Sequence, residues 1–370
     1  MNIENILKND EKAIFTLRSL FKKYGYTQYK MSKFEEYDFY VRNKDFLMSD
    51  NIITFTDTNG RLMALKPDVT LSIIKNSTPQ KNCVQKVYYN ENVYRVSKGT
   101  QSFKEIMQVG LECIGDIDSY NIYEVLMLAA QSLKNISNDF MLDISHMGIV
   151  SAIISESGIG EDLQKELLKC IQEKNTHGIR ALCDSCGADS SKLTKLINAY
   201  GTSDKVAPIL SELKTDENKD MIDECLQIIK TLEDNGFKDK IHIDFSVVND
   251  MNYYNGFVFK GFIRGISSWV LSGGEYAKLM QKMNKDTKAI GFAVYLDMLE
   301  RLNISPNDYD VDALLLYDDS CGIETINNAV KLLTSNGKSV MVQKEIPEKI
   351  RYKQLLKLQD RGVEIIENNA

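Results

Sequence analysis

The chain has 370 residues, 43% hydrophobic and 26% charged, an ordinary globular balance that excludes extensive disorder and a membrane-inserted body. A formal net charge of -7 excludes an overall basic surface of the kind nucleic acid selects and leaves only a local patch open. Seven scattered cysteines, an odd number, fit free thiols of a reducing compartment, the cytoplasm, better than a disulfide framework.

From Asp10 to Tyr26 the residues Ile14, Leu17, Leu20 and Phe21 share one helical face, and Gly25 stands where a helix would end. The stretch "NIITFTDTNGRLMALKPDVT" predicts two strands around Asn59-Gly60, because this pair tolerates the positive φ of a tight turn. A helix is expected to begin at Lys66-Pro67-Asp68, with Pro and Asp in its first turn. "VQKVYYNENVYRV" and "KEIMQVGLECIG" read as strands of one antiparallel sheet, and Asp118 to Leu133 as a helix.

Between residues 148 and 238 the pattern is helical throughout, which predicts a helical insertion. Strand character returns in "KIHIDFSVV", "GFVFKGFI" and "SSWVLSGG", so the sheet begun before the insertion is completed after it. "NISPNDYD" reads as a linker. Beyond it "VDALLLY", a helix, "KSVMV", a second helix and "VEIIE" predict a small α/β unit with mainly parallel strands.

Short motifs by themselves carry little chemistry. Cys183 and Cys186 have CxxC spacing, but no second pair accompanies them and the surrounding pattern is helical, so a structural role is expected. His146, His177 and His242 stand apart in sequence without nucleophile or carboxylate partners at a recognisable spacing. The glycines of "LSGGEY" lack the spacing of a phosphate loop, and close backbone packing explains them as well. Tyr253 and Tyr254 read equally as strand-edge aromatics or as binding residues.

Five blocks taken together say more. "FTDTNGRLMALKPDVT", "YRVSKGTQSFKEIMQVGLECIG", "MNYYNGFVF", "SGGEYAKL" and "GFAVYLDMLERL" resemble, in order and spacing, the catalytic domain of class II histidyl-tRNA synthetases from about Asp10 to Leu302. The resemblance implies an α+β fold: a class II aminoacyl-tRNA synthetase-like antiparallel sheet flanked by helices. Its parts would be a core in two pieces, 1–147 and 239–303, the insertion 148–238, and a C-terminal α/β unit, 309–370, like a shortened anticodon-binding domain. By the family's pattern the histidine-binding positions are Asp68, Thr70, Gln108, Glu112, Tyr253, Tyr254 and Tyr276. Asp68 stands where the family has Glu.

The same pattern implies a lost ATP site. Arg95 of motif 2 is kept, but Ser97 replaces its paired glutamate, Asn249 and Met298 replace arginines, and Glu275 replaces a third beside Tyr276. Negative charge developing on phosphate needs fixed cationic donors, and each lost donor costs roughly 10² to 10³ in rate. Arg301 lies one helical turn beyond Met298, too far to substitute within a site of sub-ångström tolerance. Ser32 replaces the proline of the dimer-forming motif 1, which leaves a homodimer expected but less secure.

A chain with the amino-acid pocket and without the ATP site resembles the regulatory subunits of ATP phosphoribosyltransferase. That resemblance implies a non-catalytic subunit in a hetero-oligomer, a hetero-octamer, with a short-form catalytic subunit. It implies L-histidine as effector, and no cofactor, metal, nucleic acid or membrane as partner. The alternatives are an active histidyl-tRNA synthetase and a tRNA-sensing pseudo-synthetase.

Overall fold

The computed structural model describes residues 7–44, 47, 52–79, 82–97, 100, 102–248, 255–301, 309–359 and 362–369, with only the backbone at 300 and 301. The chain divides into two compact units, Lys8–Leu302 and one that includes Asn303–Ala370.

In the first unit α1 is Asn9–Lys23, burying Ala13, Leu17, Leu20 and Phe21. Gly25 follows it at φ +82°, a left-handed conformation that glycine adopts without steric cost, so the chain turns there. The short strands β1 (Thr27–Gln28) and β2 (Phe34–Glu36) precede α2 (Tyr37–Arg42) and the expected hairpin, β3 (Thr54–Thr56) with β4 (Leu62–Leu65). In its turn one Asp57 oxygen accepts the N–H groups of Asn59 and Arg61, both at 2.8 Å.

The next helix, α3 (Thr70–Asn76), starts later than expected. Asp68 lies outside its first turn and accepts the Leu71 N–H at 2.9 Å, so its side chain closes the helix end. Two long strands follow, β5 (Val84–Val96) and β6 (Phe103–Gly115), then α4 (Ser119–Ile136), capped reciprocally by Asp118 and Asn121. After β7 (Phe140–His146) come six helices, α5 (Met147–Ser157), α6 (Gln164–Gln172), α7 (Thr176–Cys186), α8 (Ser191–Asn198), α9 (Ser203–Glu212) and α10 (Lys219–Leu232). Between α8 and α9 the two-residue strand β8 (Tyr200–Gly201) is too short to have left a sequence pattern. The unit closes with β9 (Ile241–Asp244), β10 (Phe257–Ile263), β11 (Leu271–Glu275), α11 (Ala277–Lys282), β12 (Lys288–Tyr295) and a 3₁₀ turn, Leu296–Arg301.

Nine strands form one sheet in the order β1-β5-β6-β12-β11-β10-β7-β9-β8. Only β1–β5 and β7–β9 pair parallel; β5 to β7 through the centre is antiparallel, as expected. Because β8 pairs with β9, the helical stretch contributes the last strand of this sheet. Alternation along the strands gives two faces. Val109, Leu111, Cys113, Phe292 and Val294 pack behind the sheet in the core that also holds α1 and α4. Tyr89, Val93, Ile114 and Ala289 face forward, into a second core with α3.

The second unit is a four-stranded sheet, β13 (Val311–Leu316), β14 (Val340–Gln343), β15 (Tyr352–Gln359) and β16 (Gly362–Asn368) in the order β14-β13-β15-β16, with one helix, α12 (Ile323–Ser335). The second helix expected here is β15 instead. Its Lys, Gln and Leu residues have good helix propensity, but β13 and β16 pair with it on both sides and Leu355, Leu356 and Leu358 are buried, so packing overrides propensity.

Candidate functional site

Three elements meet on the forward face of the large sheet. Glu112 projects forward from the C-terminal half of β6 and is 2% exposed. Its two oxygens are engaged separately: Thr70 at the start of α3 donates to Oε1 at 2.8 Å, and the Tyr276 hydroxyl donates to Oε2. The carboxylate lies across β12 at Gly291, where a Cβ would come within 1.8 Å of Oε2. Any side chain there would displace it, which is what the glycine opening "GFAVYLDMLERL" secures. On the neighbouring strand the Gly110 position would likewise bring a Cβ within 2.5 Å of the Tyr89 hydroxyl.

Two steps along the same face, Gln108 pairs in register with Tyr295 on one side and Glu91 on the other. Gln108 is 3% exposed and Tyr295 6%. Arg95, on the same face of β5, donates from Nε to the Pro67 carbonyl at 3.0 Å and also hydrogen-bonds Tyr295. It thus clamps the Lys66–Asp68 segment over the sheet.

The electrostatics are those of two neighbouring carboxyls removed from bulk solvent. Burial pushes the Glu112 carboxyl up to about 8; hydrogen bonds from Tyr276 and Thr70 oppose this, and the nearby Asp68 charge adds to it. Asp68 is also raised, first by burial, against the Leu71 N–H and the positive charges of Arg95 and Lys66. Burial holds the Lys66 ammonium below its ordinary range, although it pairs with Glu91 at 2.9 Å.

The structure therefore brings together Asp68, Thr70, Arg95, Gln108, Glu112 and Tyr276. Tyr253, Tyr254 and Asn249 lie outside the described residues, as does the Arg301 side chain. Ser97 lies at the end of the β5–β6 hairpin, its N–H bonded to the Ser102 carbonyl at 2.9 Å. Met298 packs against the core behind the sheet. Its segment is 3₁₀, in which the three residues to Arg301 rise about 6 Å, more than a turn of α-helix between them would give.

Glu275 requires a correction. Expected to bring negative charge toward the ATP side, it projects from β11 to the rear face and lines a separate cavity with His146, Glu224 and Lys288. Adjacent residues at a strand end point opposite ways, so the tyrosine at 276 and the carboxylate at 275 cannot share one pocket.

Lys66, Glu91 and Tyr295 escaped the sequence reading. Their signal was present as alternation: Tyr89, Glu91, Val93 and Arg95 share one face of β5, and Gly291, Ala293 and Tyr295 one face of β12. Cys183 is buried on α7 and the Cys186 thiol bonds the Leu182 carbonyl, a structural arrangement. Gly273 in "LSGGEY" sits where a Cβ would lie 2.4 Å from the Gly291 carbonyl, so close packing does explain it. Among the described residues no group of His, Cys, Asp and Glu could hold a metal ion.

An antiparallel sheet flanked by helices, with Glu112, Thr70 and Tyr276 joined on its forward face, defines a class II synthetase-like core. The family described as Histidyl-tRNA synthetase matches residues 5–299. The chain is 30% identical to the ATP phosphoribosyltransferase regulatory subunit of Clostridium acetobutylicum over 357 residues, 92% of this chain and 84% of that one. A solved structure described as an ATP phosphoribosyltransferase regulatory subunit/histidyl-tRNA synthetase from Bacillus halodurans superposes with TM-score 0.72 at 25% identity, covering 90% of this chain and 88% of that one. A chain of the ATP phosphoribosyl transferase (HisG:HisZ) complex from Thermotoga maritima shares the fold, with TM-score 0.62 at 21% identity over 77% of this chain and 96% of that one. The chain belongs to the ATP phosphoribosyltransferase regulatory subunits, within the histidyl-tRNA synthetase-like family.

Proposed function

We propose that this protein is the non-catalytic regulatory subunit of ATP phosphoribosyltransferase, partner of a short-form catalytic subunit, and that its forward pocket binds L-histidine as the feedback signal. The observation that carries the reading is the Glu112 carboxylate, buried and held by Thr70 and Tyr276, beside a motif 3 turn whose Met298 packs into the core. A buried carboxylate is costly without a cationic or N–H partner, and an imidazole supplies one. In this assignment Glu112 and the tyrosines recognise the imidazole, while Asp68 and Gln108 hold the ammonium end. Asn249, and Ser97 beside the retained Arg95, complete a degenerate phosphate site that does not form an adenylate.

The effector must bind the inhibited arrangement of the complex more tightly than the active one, since equal affinity shifts nothing. Family likeness supports a hetero-octamer with a homodimer of this chain within it. Seven free thiols support a cytoplasmic setting, and no helix among the described residues is long and apolar enough to cross a membrane.

Reconstitution tests this directly. Added to a short-form catalytic subunit, the protein should be needed for phosphoribosyl-ATP formation, and histidine should inhibit that activity through wild type but not through Glu112→Ala. Histidine-dependent ATP–pyrophosphate exchange at enzymatic rates would instead identify an active synthetase.

A further inference from the structure

Behind the pocket, on the rear face of the sheet, lies a cavity of about 360 Å³ between β11, β12, the start of α4 and α10. Two buried side chains line its inner end, Glu275 at 7% and His146 at 5% exposure. The Glu275 carboxylate lies over Gly256, where a Cβ would approach Oε2 to 1.9 Å, and accepts the Phe257 N–H. His146 accepts the Ile149 N–H on Nδ1 at 3.3 Å, as the cap of α5. Burial keeps the ring neutral, its pKa lowered to about 4. The ring also hydrogen-bonds its own backbone carbonyl. Toward the rim stand the exposed Lys288 ammonium and Glu224, which accepts from the Ser119 hydroxyl.

A ligand of single charge satisfies only part of this wall. An anion would meet Glu275 and Glu224; a cation would meet Lys288. A molecule with an ammonium and a carboxylate on neighbouring atoms meets both, the ammonium on Glu275 and Glu224, the carboxylate on Lys288. The volume is at the small end of small-molecule sites, about 300 to 1,000 Å³. We infer that this cavity is a second binding site, for a small zwitterion of the amino-acid class, set back to back with the forward pocket across the sheet.

The two sites share a backbone. Glu275 is followed by Tyr276, whose hydroxyl holds Glu112, and Asn255 ties both together, its N–H donating to the Glu275 carbonyl at 3.3 Å and its side chain accepting the Ala277 N–H at 3.0 Å. Occupancy behind the sheet is felt in front of it through these residues. That coupling rests on the histidine reading of the forward pocket; the rear site does not.

The test is equilibrium titration of the full chain with glycine, acetate and methylamine, in wild type and in Glu112→Gln, Glu275→Gln and Lys288→Ala. Glycine should bind saturably in wild type and in Glu112→Gln, and at least tenfold more weakly in Lys288→Ala and Glu275→Gln, with acetate and methylamine failing to compete. Lys288 is exposed, so its loss leaves the fold intact, and circular dichroism checks the Glu275 variant. Glycine binding that disappears in Glu112→Gln and persists in Lys288→Ala would assign it to the forward pocket and overturn the inference. Absence of glycine binding, or competition by either singly charged analogue, would do the same. Histidine binding lost in Glu112→Gln and kept in Glu275→Gln sustains the forward-pocket reading independently.

Discussion

In the proposed histidine site, protonation of Glu112 sets the expected pH dependence of binding. In the ligand-free protein burial raises this carboxyl to about 8, whereas the imidazole of free histidine titrates near about 6.5. At about pH 7.2 the protein therefore holds a proton on Glu112 and the ligand arrives neutral. The complex needs one proton between the two groups, whether it rests as carboxyl and imidazole or as carboxylate and imidazolium. Binding at that pH neither takes up nor releases a proton. At pH 5.5 the imidazole is charged and must release a proton, so affinity falls about eightfold. At pH 8.5 Glu112 is mostly ionised, a proton must be taken up, and affinity falls about threefold.

Isothermal titration in buffers of differing ionisation heat counts those protons directly. The expected signs are release on the acid side, uptake on the alkaline side, and a crossing near neutrality. Uptake of a full proton at pH 7.2 would refute the argument, because it would mean that Glu112 is already ionised before histidine arrives. The same carboxyl sets a stability slope. Its folded value lies above its unfolded value, so the native state holds a proton that the unfolded chain gives up between about pH 4.5 and 8. Stability falls across that window as pH rises, by about 3 kcal/mol at pH 7, and Glu112→Gln should flatten the fall in urea melts.

Three further outcomes follow from the packing. Gly291→Ala should abolish histidine binding and cost about 1 to 3 kcal/mol in chemical denaturation, because its Cβ meets Glu112 Oε2 at 1.8 Å and the Leu111 carbonyl at 2.4 Å. Glu91→Gln should destabilise by about 3 kcal/mol by leaving the fully buried Lys66 unpaired, and Lys66→Met in the same chain should recover much of the loss. Met298→Arg should leave ATP–pyrophosphate exchange undetectable and lower stability by about 1 kcal/mol, since the position packs into the core behind the sheet.

What could be read from the sequence depended on the range of the forces involved. Helix α1 and the β3–β4 hairpin were legible because capping, turn chemistry and periodicity are local, Gly25 and Gly60 both standing at φ +82°. The strand β15 was not, because its state is decided by neighbours from elsewhere in the chain. At the site, Glu112 and Tyr276 were legible only through family blocks, since 164 residues separate the two ends of their hydrogen bond. Tyr295 and Glu91 needed one step more: each sits four residues from a family-block position, Gly291 or Arg95, on the same strand face, and counting by twos along β5 and β12 finds them.

Counting by twos also reshapes the argument from the lost arginines. The family pattern places Glu275 as a negative charge on the ATP side, but strand alternation sends it behind the sheet, where it lines a cavity with Lys288 and His146. The case for a lost phosphate site then stands on Asn249, Ser97 and Met298, and Met298 carries a distinct kind of information. An arginine can be deleted from a phosphate site by any substitution, yet a thioether packed into the adjacent core also gives the turn a new apolar anchor. Arg95 shows the same redirection, since its guanidinium bonds the Pro67 carbonyl and Tyr295 and so braces the segment that carries Asp68. Arg95 is thereby a support for the segment that carries Asp68, which is the placement the proposed histidine site requires.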